Sequence, residues 1–114
     1  MIKRKEEMTA RVVESVRGGN GNTVFLDFLT EEESLGKLRI AALTTLEKGC
    51  SIGRHPHGPD AEIYIITQGK GIVDDDGVET TLEAGDIIYT GGGAFHAIRN
   101  EEDEALQFIA IVIN

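Results

Sequence analysis

The sequence predicts an all-β sandwich or barrel. Short runs rich in Val, Ile, Thr, Tyr and Phe recur along the chain, the composition that fits a pleated, half-buried surface. Breaks rich in Gly, Asn and Asp separate nearly all of them, and many short strands at even spacing mark sandwiches and barrels. Helical periodicity is weak everywhere, and only segments 3–8 and 31–35 could hold a short helix.

The runs expected to be strands are 10–16, 23–28, 37–46, 62–67, 71–74, 78–82, 86–89, 94–99 and 105–113. Between the first two lies Arg17-Gly18-Gly19-Asn20-Gly21, which lacks the helix and the lysine of a phosphate loop and reads as a flexible turn or a lid over a pocket mouth. The third follows the acidic break Glu31-Glu32-Glu33. EIYIIT, residues 62–67, starts after the turn signal Gly58-Pro59-Asp60. The next two runs are joined by Asp76-Gly77, a hairpin signal. Run 86–89 follows Gly85, and 94–99 follows the glycine-rich Gly91-Gly92-Gly93. Gly49, Gly69, Gly85 and Gly93 sit at strand ends where a turn calls for positive φ.

The last run, 105–113, is apolar on both faces: Leu106, Phe108, Ala110 and Val112 alternate with Ile109, Ile111 and Ile113. A half-exposed strand would alternate with polar residues. One face can fill a barrel, and a homodimer is the expected cover for the other. At 114 residues the chain suits one domain, with residues 1–36 as an N-terminal extension carrying strands and 37–113 as the core barrel.

Twenty acidic against 11 basic residues give a formal charge of −9, which repels phosphate backbones and anionic membranes and argues against nucleic acid as a partner. The acidic runs fall at breaks between apolar runs and read as solvated turns without the spacing of a calcium loop. No apolar stretch approaches bilayer length, and the charged N-terminus has no apolar run behind it. The single cysteine, Cys50, has no partner for an internal disulfide. A cytoplasmic, non-membrane protein is expected.

All three histidines fall in a pattern suited to one metal ion. His55 and His57 at i and i+2 project on the same side of a strand. Glu62 begins the next run, and a returning antiparallel strand would bring its carboxylate back beside them. His96 lies in AFHAI and reaches the same point only if the sheet closes on itself, as a barrel does. Imidazole and carboxylate suit Mn, Fe, Zn, Ni and Co, and four such donors leave positions open on an octahedral ion.

The two stretches read Gly49, five residues, His55-x-His57, four residues, Glu62, six residues, Gly69; and Gly85, five residues, Gly91-x-Gly93, two residues, His96, three residues, Asn100. Both resemble the two motifs of the cupin family, departing at Gly91, where that pattern usually has proline. The resemblance covers about residues 38–112. It implies a cupin-type double-stranded β-helix, or jelly-roll, barrel with one divalent transition metal, Mn or Fe before Zn, Ni or Co, held by His55, His57, Glu62 and His96. It also implies the compact, dimer-forming habit of small microbial cupins.

Cupins include decarboxylases and oxidases of oxalate, dioxygenases, sugar-phosphate isomerases and binding modules, so fold alone does not fix the reaction. The resemblance points first to a metal-dependent enzyme acting on a small carboxylate or dicarbonyl compound, oxalate-decarboxylase-like or dioxygenase-type. The alternatives are a non-catalytic metal-dependent binding or sensing module, or a Zn or Ni sugar isomerase, for which Arg54 is the one nearby cation. By parity Tyr64 and Ile66 share the face of Glu62, and Ile98 that of His96. Tyr64, Phe108 and Thr44 are the candidate substrate-binding residues.

Overall fold

The computed structural model describes residues 1–114. Ten strands follow in chain order: β1 (Thr9–Glu14), β2 (Asn22–Asp27), β3 (Leu38–Leu46), β4 (Ser51–Pro56), β5 (Ala61–Gln68), β6 (Lys70–Asp75), β7 (Val78–Glu83), β8 (Ile87–Thr90), β9 (Phe95–Arg99) and β10 (Leu106–Ile113). They form two antiparallel sheets, one ordered β1-β2-β3-β10-β5-β8 and the other β4-β9-β6-β7. From β3 onward the chain crosses from one sheet to the other again and again, which is the jelly-roll path and leaves one interior between the sheets.

The helical pieces are 3₁₀ turns at Lys5–Glu7 and Val16–Gly18, and residues 31–36 form successive turns. Segments this short cannot repay helix nucleation. Nine of the strands match the expected runs. β4 is the one that composition hides, because Gly53 and Pro56 dilute its strand character. The Asp76-Gly77 hairpin forms as expected, pairing Asp75 with Val78 through positive φ at both turn residues.

Alternation of faces builds the core. On β10, Leu106, Phe108, Ala110 and Val112 are buried, and the first three join Ile66 and Tyr64 of β5 and Ile52 and Ile98 of the opposite sheet in one core cluster. Complete burial of Phe108 contributes about 2–3 kcal/mol. The other face of β10 shows Ile109 and Ile111, half-buried, beside Ile65 and Ile63 of β5. Those in turn lie beside Ile87 and Tyr89 of β8, which are 59% and 61% exposed. An apolar stripe therefore runs over three strands on the outside of the larger sheet.

The N-terminal 36 residues contribute β1 and β2 to that larger sheet, joined through the β2–β3 ladder. At the far end of the barrel, buried Asn100 closes the chain on itself. Its Nδ2 donates to the carbonyls of Leu46 and Glu104, both at 2.9 Å, and its Oδ1 accepts from the Glu102 amide at 2.9 Å.

Candidate metal centre

His55, His57, Glu62 and His96 come together, all buried, with one donor atom of each within 4.8 Å of every other. The route differs from that expected from the sequence in one respect. β4 pairs with β9, so His96 is the direct cross-strand neighbour of His55, while Glu62 arrives on β5 from the opposite sheet. Barrel closure is thus needed for Glu62, where the sequence reading had required it for His96. His57 lies one residue beyond β4 and is fixed there by backbone bonds, its amide donating to the Ala94 carbonyl at 3.0 Å and its carbonyl accepting from the Gly93 amide at 2.8 Å. The glycine-rich loop before His96 is therefore tied to the other end of the ligand set, although Gly91 stands where proline is usual.

Each imidazole is held from behind by its Nδ1. That of His55 donates to the Gly53 carbonyl at 2.7 Å, and that of His57 to the Asp60 carboxylate at 3.2 Å. That of His96 is bonded to the Thr90 hydroxyl at 2.8 Å. A carbonyl and a carboxylate only accept, so protons on Nδ1 leave the Nε2 lone pairs of His55 and His57 aimed inward.

The inward atoms meet at one point. Nε2 of His96 lies 3.0 Å from Nε2 of His55 and 2.9 Å from Glu62 Oε1. Glu62 Oε1 is also 2.9 Å from His57 Nε2 and 3.7 Å from His55 Nε2. Despite that short approach His57 Nε2 has no hydrogen-bond partner, because with the proton on Nδ1 both it and the carboxylate oxygen are acceptors. Ligand bonds of about 2.1 Å place adjacent donors about 3 Å apart, which is the spacing of three of these four contacts. Four electron-rich atoms this close and this buried need positive charge between them, and the set fits a divalent ion.

Electrostatics agree. Burial opposes charge on Glu62, yet hydrogen bonding to His55 and His96 and attraction to the His96 and His57 rings outweigh it and bring the carboxyl down to about 2. His96 is pushed below its usual value by burial, with Glu62 pulling the other way. Tyr64 lies almost parallel to His96, ring centroids 4.7 Å apart and planes 17° from parallel. Burial, reinforced by the charge of Glu62, pushes the Tyr64 phenol well above its ordinary value and keeps it protonated.

Over the cluster lies a cavity of about 80 Å³ lined by His55, His57, Glu62 and Tyr64, by apolar Val16, Phe25, Ile40, Ile52, Ala110 and Val112, and by Arg17 and Arg39. Of the three candidate substrate-binding residues, Tyr64 lines it; Phe108 and Thr44 do not. Phe108 packs beneath the Tyr64 ring at 4.6 Å, and Thr44, its partner on β3, is fully buried with no hydrogen-bond partner for its hydroxyl.

A family model for the cupin domain matches residues 42–112. The chain belongs to the cupin family. Over 113 residues this cupin is 34% identical to an oxalate-binding protein of Thermotoga maritima, covering 99% of this chain and 93% of that one. A crystal structure of a predicted oxalate decarboxylase from the same organism superposes with a TM-score of 0.94 at 34% identity, covering 99% of this chain and 98% of the other. A sugar phosphate isomerase from Silicibacter pomeroyi shares the fold, with a TM-score of 0.76 at 20% identity over 96% of this chain and 73% of that one.

Several residues of the site escaped sequence reasoning. Asp60 was legible only as a turn residue, and Thr90, which stands opposite Glu62 across the β5–β8 ladder, only as the end of a strand. Arg17 and Arg39 line the cavity from segments outside both motifs. The loop from Arg17 to Gly21, read as a free turn or lid, is hydrogen-bonded along β4 through Asn20 and Ser51.

Proposed function

We propose that this cupin is a metal-dependent protein for a small carboxylate or dicarbonyl compound, with decarboxylase- or dioxygenase-type activity. The observation that carries the reading is the convergence of three Nε2 atoms and one carboxylate oxygen at the floor of a small cavity whose rim is cationic. His55, His57, Glu62 and His96 would hold the ion, Mn or Fe by preference. When bound, such an ion supplies Lewis-acid or redox chemistry at its free positions.

The chain's own residues prepare the cavity. Val16, Phe25, Ile40, Ile52, Ala110 and Val112 keep bulk water from the ligand, which strengthens every charge contact within. Tyr64, held protonated, offers a neutral donor and steadies the His96 ring. Arg39, ion-paired with Asp60, backs the His57–Asp60 bond. The names of the Thermotoga maritima relatives, an oxalate-binding protein and a predicted oxalate decarboxylase, support a small dicarboxylate as the compound to try first.

A second reading, a non-catalytic binding or sensing module, has an observation of its own. The one carboxyl group lining the cavity is Glu62, already assigned to the ion, and Tyr64 is too weak an acid to replace a free carboxyl as a proton donor. A sugar-phosphate isomerase is less favoured, because the cavity is small and Arg54 is turned to Asp74 and stacked over Phe95. Carbon dioxide release and oxygen uptake by the metal-loaded protein on a panel of carboxylates separate these: turnover establishes the enzyme, and tight binding without turnover establishes the module. Absence of carboxylate binding overturns both.

The apolar stripe of Ile109, Ile111, Ile63, Ile65, Ile87 and Tyr89 supports a homodimer that covers it. No helix is long and apolar enough to cross a membrane; the lone cysteine, Cys50, supports a reducing, cytoplasmic location.

A further inference from the structure

The cavity lining holds two cations, and they are differently placed. Arg39 is committed to Asp60, which also accepts from His57. Arg17 forms no ion pair with any carboxylate of the chain, although acidic residues outnumber basic ones 20 to 11. It is solvent-exposed at the rim.

The backbone of Arg17 is held in place by built contacts. Its backbone lies at φ 53° and ψ 33°, in the left-handed region, and Ser15 beside it has φ 52°. Neither residue type enters that region freely, and such outliers persist only where the surroundings enforce them. What enforces them is close packing of two glycines: a Cβ on Gly53 would lie 2.0 Å from the Arg17 carbonyl oxygen, and one on Gly19 would lie 2.1 Å from the Ser51 carbonyl oxygen. The Asn20 amide donates to Ser51 Oγ at 2.8 Å, and the Ser51 amide donates to the Asn20 carbonyl at 2.9 Å. The turn carrying Arg17 is thus fixed to the strand carrying His55, at the same Gly53 whose carbonyl orients the His55 ring.

Resting on the carboxylate reading above, we infer that Arg17 is the specificity-determining residue of the cavity: its guanidinium binds the second carboxylate of a short two-headed anion whose first head lies at the His55, His57, Glu62 and His96 cluster. A guanidinium presents a planar fork that matches a carboxylate in two parallel hydrogen bonds. At about 80 Å³ the cavity is far below the size that takes drug-like ligands, which restricts the anion to about two to four carbons. Anions with one head meet the cluster and never reach Arg17.

The test uses cobalt-loaded full-length protein, titrated with oxalate and separately with azide while the visible spectrum is followed. Wild type, Arg17→Gln and Arg17→Lys are compared, with cobalt content measured in each. Loss of the fork is expected to weaken oxalate binding about 50-fold in the Gln variant and about fivefold in the Lys variant, with azide binding within about twofold of wild type. Cobalt content should not change. Unchanged oxalate affinity in Arg17→Gln overturns the assignment of Arg17 while leaving the carboxylate reading intact, and so does a parallel loss of oxalate and azide binding or a loss of cobalt. Wild-type protein that fails to bind oxalate overturns both. Should the Gln variant not fold, Arg17→Gly, which suits the positive φ, carries the same comparison.

Discussion

His55 and His96 stand directly opposite each other on neighbouring strands, and their Nε2 atoms meet 3.0 Å apart. The ladder between β4 and β9 therefore presets half of the ligand set, and the other sheet adds Glu62. Elemental analysis of purified protein should find one transition-metal ion per chain. His96→Ala and Glu62→Ala each remove a donor and should leave the protein essentially metal-free after dialysis. Thr90→Val keeps the volume but removes the bond to His96 Nδ1, and should lower metal affinity about 10–100-fold. Undiminished metal in Glu62→Ala would refute the ligand assignment.

Acid should release the ion in a definite window. His96 has a folded-state value below its usual 6.5 because of burial, so the unfolded chain takes up a proton first, and the contribution of this residue is complete above about pH 6.5 and erodes as pH falls below it. Glu62, lowered from 4.5 to about 2, adds a contribution present above about 4.5 and lost on the way down to about 2. Protons compete for the same Nε2 atoms as the metal. The difference in melting temperature with and without chelator should be largest above pH 6.5 and vanish by about pH 4. An equal chelator effect at pH 4 and pH 7.5 would contradict this coupling.

What could be read from the sequence was the face on which each residue lies. A period of two placed Glu62, Tyr64 and Ile66 together and separated Phe108 from Ile109, and all of these fall as expected. The strand neighbour is a different matter, because it depends on register between segments far apart in the chain. That is why β4 beside β9, Thr90 behind His96 and Asp60 behind His57 had no local signature. Arg17 was hidden for a related reason: the turn that carries it is fixed by contact of Gly19 with Ser51 and of its own carbonyl with Gly53, on separate segments. Phe108 and Thr44 were placed on the interior face correctly, but the interior has depth, and alternation cannot tell its floor from its foundation.

The outer stripe on the larger sheet predicts an oligomer. Ile109→Asp with Ile111→Asp puts charge in the middle of the surface a second copy would cover, and light scattering should then report a monomer where the unmodified protein gives a dimer. The interior face of β10 is untouched, so metal content should persist. A stable monomer for the unmodified protein at high concentration would remove the case for this interface.

Asn100 offers the sharpest stability prediction. Its side chain is 1% exposed and satisfies three backbone groups, the carbonyls of Leu46 and Glu104 and the amide of Glu102. Its own amide and carbonyl, bonded to Cys50 and Gly49, tie the β9 end to the turn before β4. Asn100→Ala strands buried acceptors and should cost about 3 kcal/mol, a drop of about 10–15 °C in melting temperature for a domain of this size. Asn100→Asp preserves the shape, yet it replaces the donor with a carboxylate facing two carbonyl oxygens. Near neutral pH it should therefore be at least as damaging as alanine, and it should recover part of the loss as acid protonates the new carboxyl and restores a donor. Denaturant unfolding of both variants across pH checks the point. An Asp variant as stable as the parent at pH 7.5 would show that these hydrogen bonds do not hold the barrel end closed.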